Sequence, residues 1–286
     1  MGEIEVLKPG LYSTIQDLGR RNFRKYGVPK SGVMDSYAAK KANLILCNLE
    51  TSPVLEITQL GSKLKFTEPT QIAICGANLS PKINDISVLN NRMLSIKKDE
   101  VLSFGKRIKG CRAYISILGG FASEKILGSY SWYNGITENE LLQKGDVIKY
   151  LKLGSLPNTL NASLKVNEEY LNKVEIQAFP GPEYDLLSSS QQRLLLESEF
   201  HLDINNNRMA IQLKEVLTNK LSPIITGPVL PGTVQLTPSG KLIVLMRDCQ
   251  TTGGYPRVLQ LSEAGINSIA QKVVGDMLRF ELSKIK

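Results

Sequence analysis

VLEIT (54–58), KLKF (63–66), QIAICGA (71–77), KINDISV (82–88), EVLSFG (100–105) and RAYISILGG (112–120) follow one another with little but turn residues between them. Each run is short, rich in β-branched or apolar residues, and bounded by Gly, Pro, Asn, Asp or Ser, as strands and their turns are. No strand–helix–strand alternation appears across this stretch. That argues against a parallel α/β fold and for an all-β barrel or sandwich.

A local pattern inside this region recurs. KDEVLSF (98–104), KGDVIKY (144–150) and VGDMLRF (274–280) each join an acidic turn to a short alternating strand that ends in an aromatic. Three copies predict equivalent barrel strands, and the distance between the second and third predicts a second domain. The polar stretch LKLGSLPNTLNASLKV (151–166) interleaves Gly, Pro, Asn and Ser and is the best linker in the chain. The expected organisation is an N-terminal barrel over 1–155, a linker over 156–170 and a C-terminal barrel over 171–286.

Helices are few. Ala38, Ala39, Ala42, Leu44, Ile45 and Leu46 suit a helix packed closely on a sheet, with Asp35 or Ser36 as its cap. Ser31 and Asp35 flank its start, where the reading is either simple capping or an anion site. Ser188–Phe200 and Ser262–Lys272 are the other two helical segments. Before the first helix, the alternating run Leu11–Ile15 leads into Gln16, Asp17, Gly19 and Arg20. Asp17 and Arg20 then form either a surface ion pair or an Arg fork for a carboxylate or phosphate, oriented by the aspartate.

The most polar loop is MRDCQTTGGYP (246–256), directly after the apolar run 242–245. Gly253 and Gly254 let backbone N–H groups approach a ligand, and Asp248, Gln250, Thr251 and Thr252 bring donors and acceptors. The same residues also suit a plain hairpin turn.

Composition narrows the chemistry. The chain has 286 residues, 42% hydrophobic and 22% charged, which is globular. No apolar run approaches the roughly 20 residues of a membrane span, and the N-terminal MGEIEVLKPG lacks a leader pattern, so a cytoplasmic protein is expected. The net charge is +8, with 35 basic residues scattered among 27 acidic ones. Without a recognisable module, diffuse basicity does not predict nucleic-acid binding. Cys47, Cys75, Cys111 and Cys249 are far apart and His201 is the single histidine, so no metal site is expected and chemistry falls to carboxylates, hydroxyls, Lys, Arg and backbone groups. GxxxxGKS, strand-borne GxGxxG, HExxH and an AMKM-like biotin lysine are all missing.

Taken in order, PGLYSTIQDLGR (9–20), GVPKSGVMDSYAAKKAN (27–43), LEITQLG (55–61), GCRAYISILGG (110–120), GPVLPGTVQLTPSG (227–240) and RDCQTTGGYPRV (247–258) resemble the family of the 5-oxoprolinase C subunit. That family also contains the carboxyltransferase region of urea carboxylase and allophanate hydrolase subunit 2. The resemblance implies a mainly β protein of two cyclophilin-like β-barrel domains with a few short helices. It further implies partnership with the B and A subunits of 5-oxoprolinase, and ATP used by the complex to open 5-oxo-L-proline to L-glutamate, with no covalent biotin on this chain. Arg20, Arg208 and Asp248 are then the expected catalytic groups. Asp17, Ser31, Asp35, Gln250, Thr251, Thr252, Gly253, Gly254 and Tyr255 are the expected substrate contacts. Two rival expectations are a regulatory binding partner of a kinase-inhibitor-like B subunit, and a carboxyltransferase component that acts with carboxybiotin carried elsewhere.

Overall fold

A computed structural model describes residues 1–152 and 164–283. The chain is mainly β and divides by contacts into two units, residues 1–20 with 31–171 and residues 21–30 with 172–286. The second unit thus takes a ten-residue segment from within the first, an arrangement beyond the single boundary expected near 155–170. Part of the expected linker, 156–163, lies outside the described residues. Its remainder packs on the first unit: Val166 lies against an apolar cluster there, and Glu168 Oε1 accepts from Asn91 at 2.6 Å.

The first unit has two sheets. One runs in the order 147–150, 2–8, 63–66, 101–103, 82–83, 86–87; the other runs 12–16, 54–58, 109–117, 70–78, 93–96. Both sheets contribute to one core that includes Ile4, Val6, Ile57, Phe66, Ile74 and Ile115. Gly2–Lys8 alternates buried and exposed residues, as a strand with one wet face must. Thr70–Asn78, in contrast, is buried on both faces except at Asn78. The reason is the helix Ser36–Ile45, whose Ala38, Ala39 and Ala42 meet Ala73, Cys75 and Tyr114. Alanines there let the helix backbone approach the sheet closely, and Asp35 Oδ1 caps it by accepting from Ala38 N at 3.0 Å.

The second unit is a closed barrel of seven strands, ordered 175–180, 257–261, 233–236, 241–245, 210–216, 200–206, 277–282. Closure comes from a parallel pairing of Glu175–Pro180 with Met277–Leu282. The helices Ser189–Glu197 and Glu263–Ile269 belong to this unit, the first with a capping box made by Ser188 and Gln191.

The three acidic turns are one device. Lys97 N donates to Glu100 Oε2 at 2.8 Å, Gln143 N to Asp146 Oδ2 at 2.7 Å, and Val273 N to Asp276 Oδ2 at 2.9 Å. In each, the carboxylate closes the turn onto the amide three residues back. The residue just before it has positive φ: Asp99 at 64°, Gly145 at 92°, Gly275 at 85°. A Cβ at either glycine would meet nothing within 4 Å, so backbone conformation rather than space selects glycine there.

Candidate functional site

In the second unit the strand Lys241–Leu245 delivers the chain into the loop 246–256. Met246 N donates to Met209 O and Asp248 N to Arg208 O, which aligns the loop with the turn before Ala210–Val216. Across that alignment Arg208 Nε donates to Asp248 Oδ2 at 2.7 Å and Nη2 to Oδ1 at 3.2 Å. Both side chains are buried, so the fork holds two desolvated charges against each other. Forty residues of sequence separate them.

The rest of the loop is held by backbone. Thr252–Gly253 pairs with Gly227–Pro228 as a two-stranded sheet. Thr251 O accepts from Val229 N, Gly254 O from Ile224 N, and Tyr255 O from Gln235 Nε2. A Cβ on Gly253 would lie 2.6 Å from Gln235 Nε2, so any larger residue there requires the end of that side chain to shift. Gln250 is partly buried, and the Tyr255 side chain reaches solvent.

Arg24 ties residues 21–30 to this loop. Its Nη2 donates to Val229 O and to Thr251 O. One cation of the basic group Arg20, Arg21, Arg24 and Lys25 is therefore a structural clasp. Cys249 lies inside the same region, fully buried, and burial pushes its thiol up to about 11. It is not a nucleophile at neutral pH.

Two cations here went unnoticed in the sequence. Arg247 is 3% exposed and grips Glu263 through Nη1 at 3.3 Å and Nη2 at 2.5 Å. Lys30, half-buried, sits in the field of Arg247, Arg21 and Arg24, with Glu263 as the one carboxylate that acts on it. Burial and then the Arg247 charge hold its ammonium below the usual lysine range. Nothing in a lone lysine or arginine between turn residues marks it as buried, so the sequence carries no signal for either.

In the first unit, Asp17 sits just past the strand Tyr12–Gln16 and accepts four hydrogen bonds. They come from Gly19 N at 2.8 Å, Ser129 Oγ at 2.6 Å, Tyr130 N at 2.8 Å and Ser131 Oγ at 2.7 Å. Arg20 is buried beside it, with Nη2 donating to Ser131 O. Val33 N donates to Asp17 O at 2.8 Å, and a Cβ on Gly32 would lie 2.7 Å from Gly19 N. This close approach brings the Ser31–Gly32 turn onto the Asp17–Arg20 turn. Ser31 is fully buried at φ 55°, and its Oγ has no hydrogen-bond partner among the described residues.

Asp35 belongs to a different network. Besides capping the helix, its Oδ2 accepts from Tyr170 Oη at 2.6 Å, and its N–H donates to Tyr114 Oη at 2.8 Å. Burial, with the Asp35 charge second, drives the Tyr170 phenol far above the ordinary tyrosine range, so it stays a donor. The first unit also contains a cavity of about 240 Å³ with Ile15, Trp132, Leu142 and Ile148 in its wall and Ser123 and Lys149 at its polar side.

His201, the single histidine, pairs with Glu215 at 2.7 Å on the surface. Among the described residues no three of His, Cys, Asp and Glu come together as metal ligands would. No helix among them is long and apolar enough to cross a membrane.

The model of the family described as carboxyltransferase domain, subdomain A and B, matches residues 26–282. The chain belongs to this carboxyltransferase-domain family. Its similarity to a curated relative, the 5-oxoprolinase C subunit of Escherichia coli, is 31% identity over 97% of this chain and 90% of the relative. The urea amidolyase of Saccharomyces cerevisiae is 30% identical over 97% of this chain but only 16% of its own length. Among solved structures, the K. lactis urea amidolyase superposes with a TM-score of 0.85 at 29% identity, covering 97% of this chain and 18% of that one. TTHA0988 superposes with a TM-score of 0.87 at 23% identity, a likeness of fold in which this carboxyltransferase-domain chain spans 55% of the solved chain.

Proposed function

We propose that this chain is the C subunit of an ATP-dependent 5-oxoprolinase, which hydrolyses 5-oxo-L-proline to L-glutamate together with the A and B subunits. One observation carries the reading. The match to the corresponding E. coli protein runs nearly end to end in both chains, whereas the match to the yeast urea amidolyase occupies a small part of a much longer chain.

The chemistry asks for cations and oriented donors. A five-membered lactam is a weak electrophile, and phosphorylation of its amide oxygen by ATP would give a better leaving group for attack by water. Charge on the transferred group and on the substrate carboxylate needs Arg, Lys and backbone N–H donors. In the second unit Arg208, Gln250, Thr251, Thr252, Gly253, Gly254 and Tyr255 remain proposed contacts, and in the first unit Arg20, with Asp17, Ser31 and Asp35. Arg208 and Asp248 hold each other in a closed fork, so the proposed role of Asp248 in orienting water requires that fork to open or share. The test is ADP release with and without 5-oxo-L-proline, using the complex co-purified on this chain. Release that depends on the substrate and on this chain supports the reading; an intact complex without stimulation overturns it.

A second reading is favoured by the family description itself, carboxyl transfer from carboxybiotin to a urea-like amide. It requires a biotin carrier outside this sequence. Avidin-reactive protein in the purified complex would support it over lactam hydrolysis.

A further inference from the structure

In the second unit Arg247, Arg21 and Arg24 each bring a positive charge to bear on Lys30, and among the described residues Glu263 is the acidic group that acts on it. The carboxylate of the loop itself, Asp248, is already gripped by Arg208 through both oxygens. Glu263 is engaged through both oxygens by Arg247, and its side chain is 56% exposed, so solvent weakens what it can offset.

Three donors stand out. Arg247 Nε and Arg24 Nη1 are buried with no acceptor among the described residues. Lys30 likewise has no hydrogen-bond acceptor or ion-pair partner among the described residues. Buried N–H groups without acceptors are costly, and buried like charges more so. Folded proteins retain such arrangements at functional or strained sites, a bound ion being one of the things that answers them.

We propose that Lys30 and Arg247, together with Arg24, form a binding site for a small oxyanion, either a carboxylate or a phosphate. Burial and then the Arg247 charge weaken the Lys30 ammonium in the free chain, and a bound anion would offset the second of these. The site stands apart from the residues expected from sequence, and the phosphate arm of its test does not rest on the oxoprolinase reading; only the choice of 5-oxo-L-proline as second probe does.

The experiment measures thermal midpoints and calorimetric binding of the full chain with inorganic phosphate and, separately, 5-oxo-L-proline, against chloride at matched ionic strength. Lys30→Gln and Arg247→Gln are compared with Lys214→Gln, which removes one exposed charge from the same unit. The expected result is binding of at least one probe, weakened ten-fold or more by Lys30→Gln and by Arg247→Gln and unchanged by Lys214→Gln. Phosphate binding alone assigns a phosphate source; displacement of phosphate by 5-oxo-L-proline assigns a carboxylate one. Because Arg247→Gln breaks the pair with Glu263 and can fail to fold, Lys30→Gln decides. Its retention of wild-type affinity, or no binding of either probe by the wild-type chain, overturns the site. A Lys30→Gln chain that keeps wild-type phosphate affinity, in a complex that still turns over 5-oxo-L-proline, sinks the site but not the function. A chain that binds phosphate through Lys30 in a complex with no oxoprolinase activity does the reverse.

Discussion

Arg247 and Asp248 are neighbours in sequence, both almost fully buried, and their surroundings treat them in opposite ways. Asp248 meets Arg208 in a two-bond fork that cancels both charges. Arg247 meets a half-exposed glutamate with its outer nitrogens, keeps Nε without an acceptor, and shares its field with Lys30. The first arrangement is what a fold needs to place a loop; the second is what a loop so placed can offer to a ligand. Asp17 in the first unit, with four donors on one carboxylate, is of the first kind.

The sharpest break of this contrast is Arg208→Ala. It leaves Asp248 buried and unpaired, and should cost about 3–5 kcal/mol of stability, read as a lowered urea midpoint with an unchanged slope. Asp17→Ala comes next. It removes the acceptor for two hydroxyls and two amides, and about 3 kcal/mol is expected from the unmet donors and the lost charge-assisted bonds.

Not all of this could be read in advance. The β class was legible because the short apolar and β-branched runs between 54 and 120, such as the one within Thr70–Asn78, are local properties. So was the repeated acidic turn, whose three carboxylates perform the same closure. The pairing of Asp17 with Arg20's turn was partly legible, since both lie within four residues of one strand end. Two things were not. The Arg208–Asp248 fork joins positions forty residues apart through strand register, which no local pattern encodes. Nor does anything in GVPKSG distinguish a half-buried lysine among arginines from an ordinary solvated one, because burial of Lys30 arises from residues 21–30 grouping with the second unit.

A smaller effect tests a pair of the locked kind near the solvent. Arg257 hydrogen-bonds Glu183 at 2.7 and 2.9 Å and thereby holds its carboxyl below the usual range. A depressed carboxylate contributes stability that is complete above the unfolded value, near pH 4.3, and lost as pH falls through the folded one. Glu183→Gln should cost about 1–2 kcal/mol at neutral pH and flatten this acid limb of the urea midpoint against pH. Smallest in energy is thiol labelling. Exposed Cys47 should react with iodoacetamide in the native chain, while buried Cys75, Cys111 and Cys249 stay unmodified until the protein unfolds, as peptide mass spectrometry would show.

The most direct measurement compares the stability of Lys30→Gln with wild type in anion-free buffer. If Lys30 is held against like charges for the sake of a ligand, its removal raises the urea midpoint at neutral pH, and the gain shrinks at alkaline pH as the wild-type ammonium loses its proton. A lowered midpoint would mean that Lys30 has a stabilising partner in the free chain, and the contrast between residues 247 and 248 would lose its meaning.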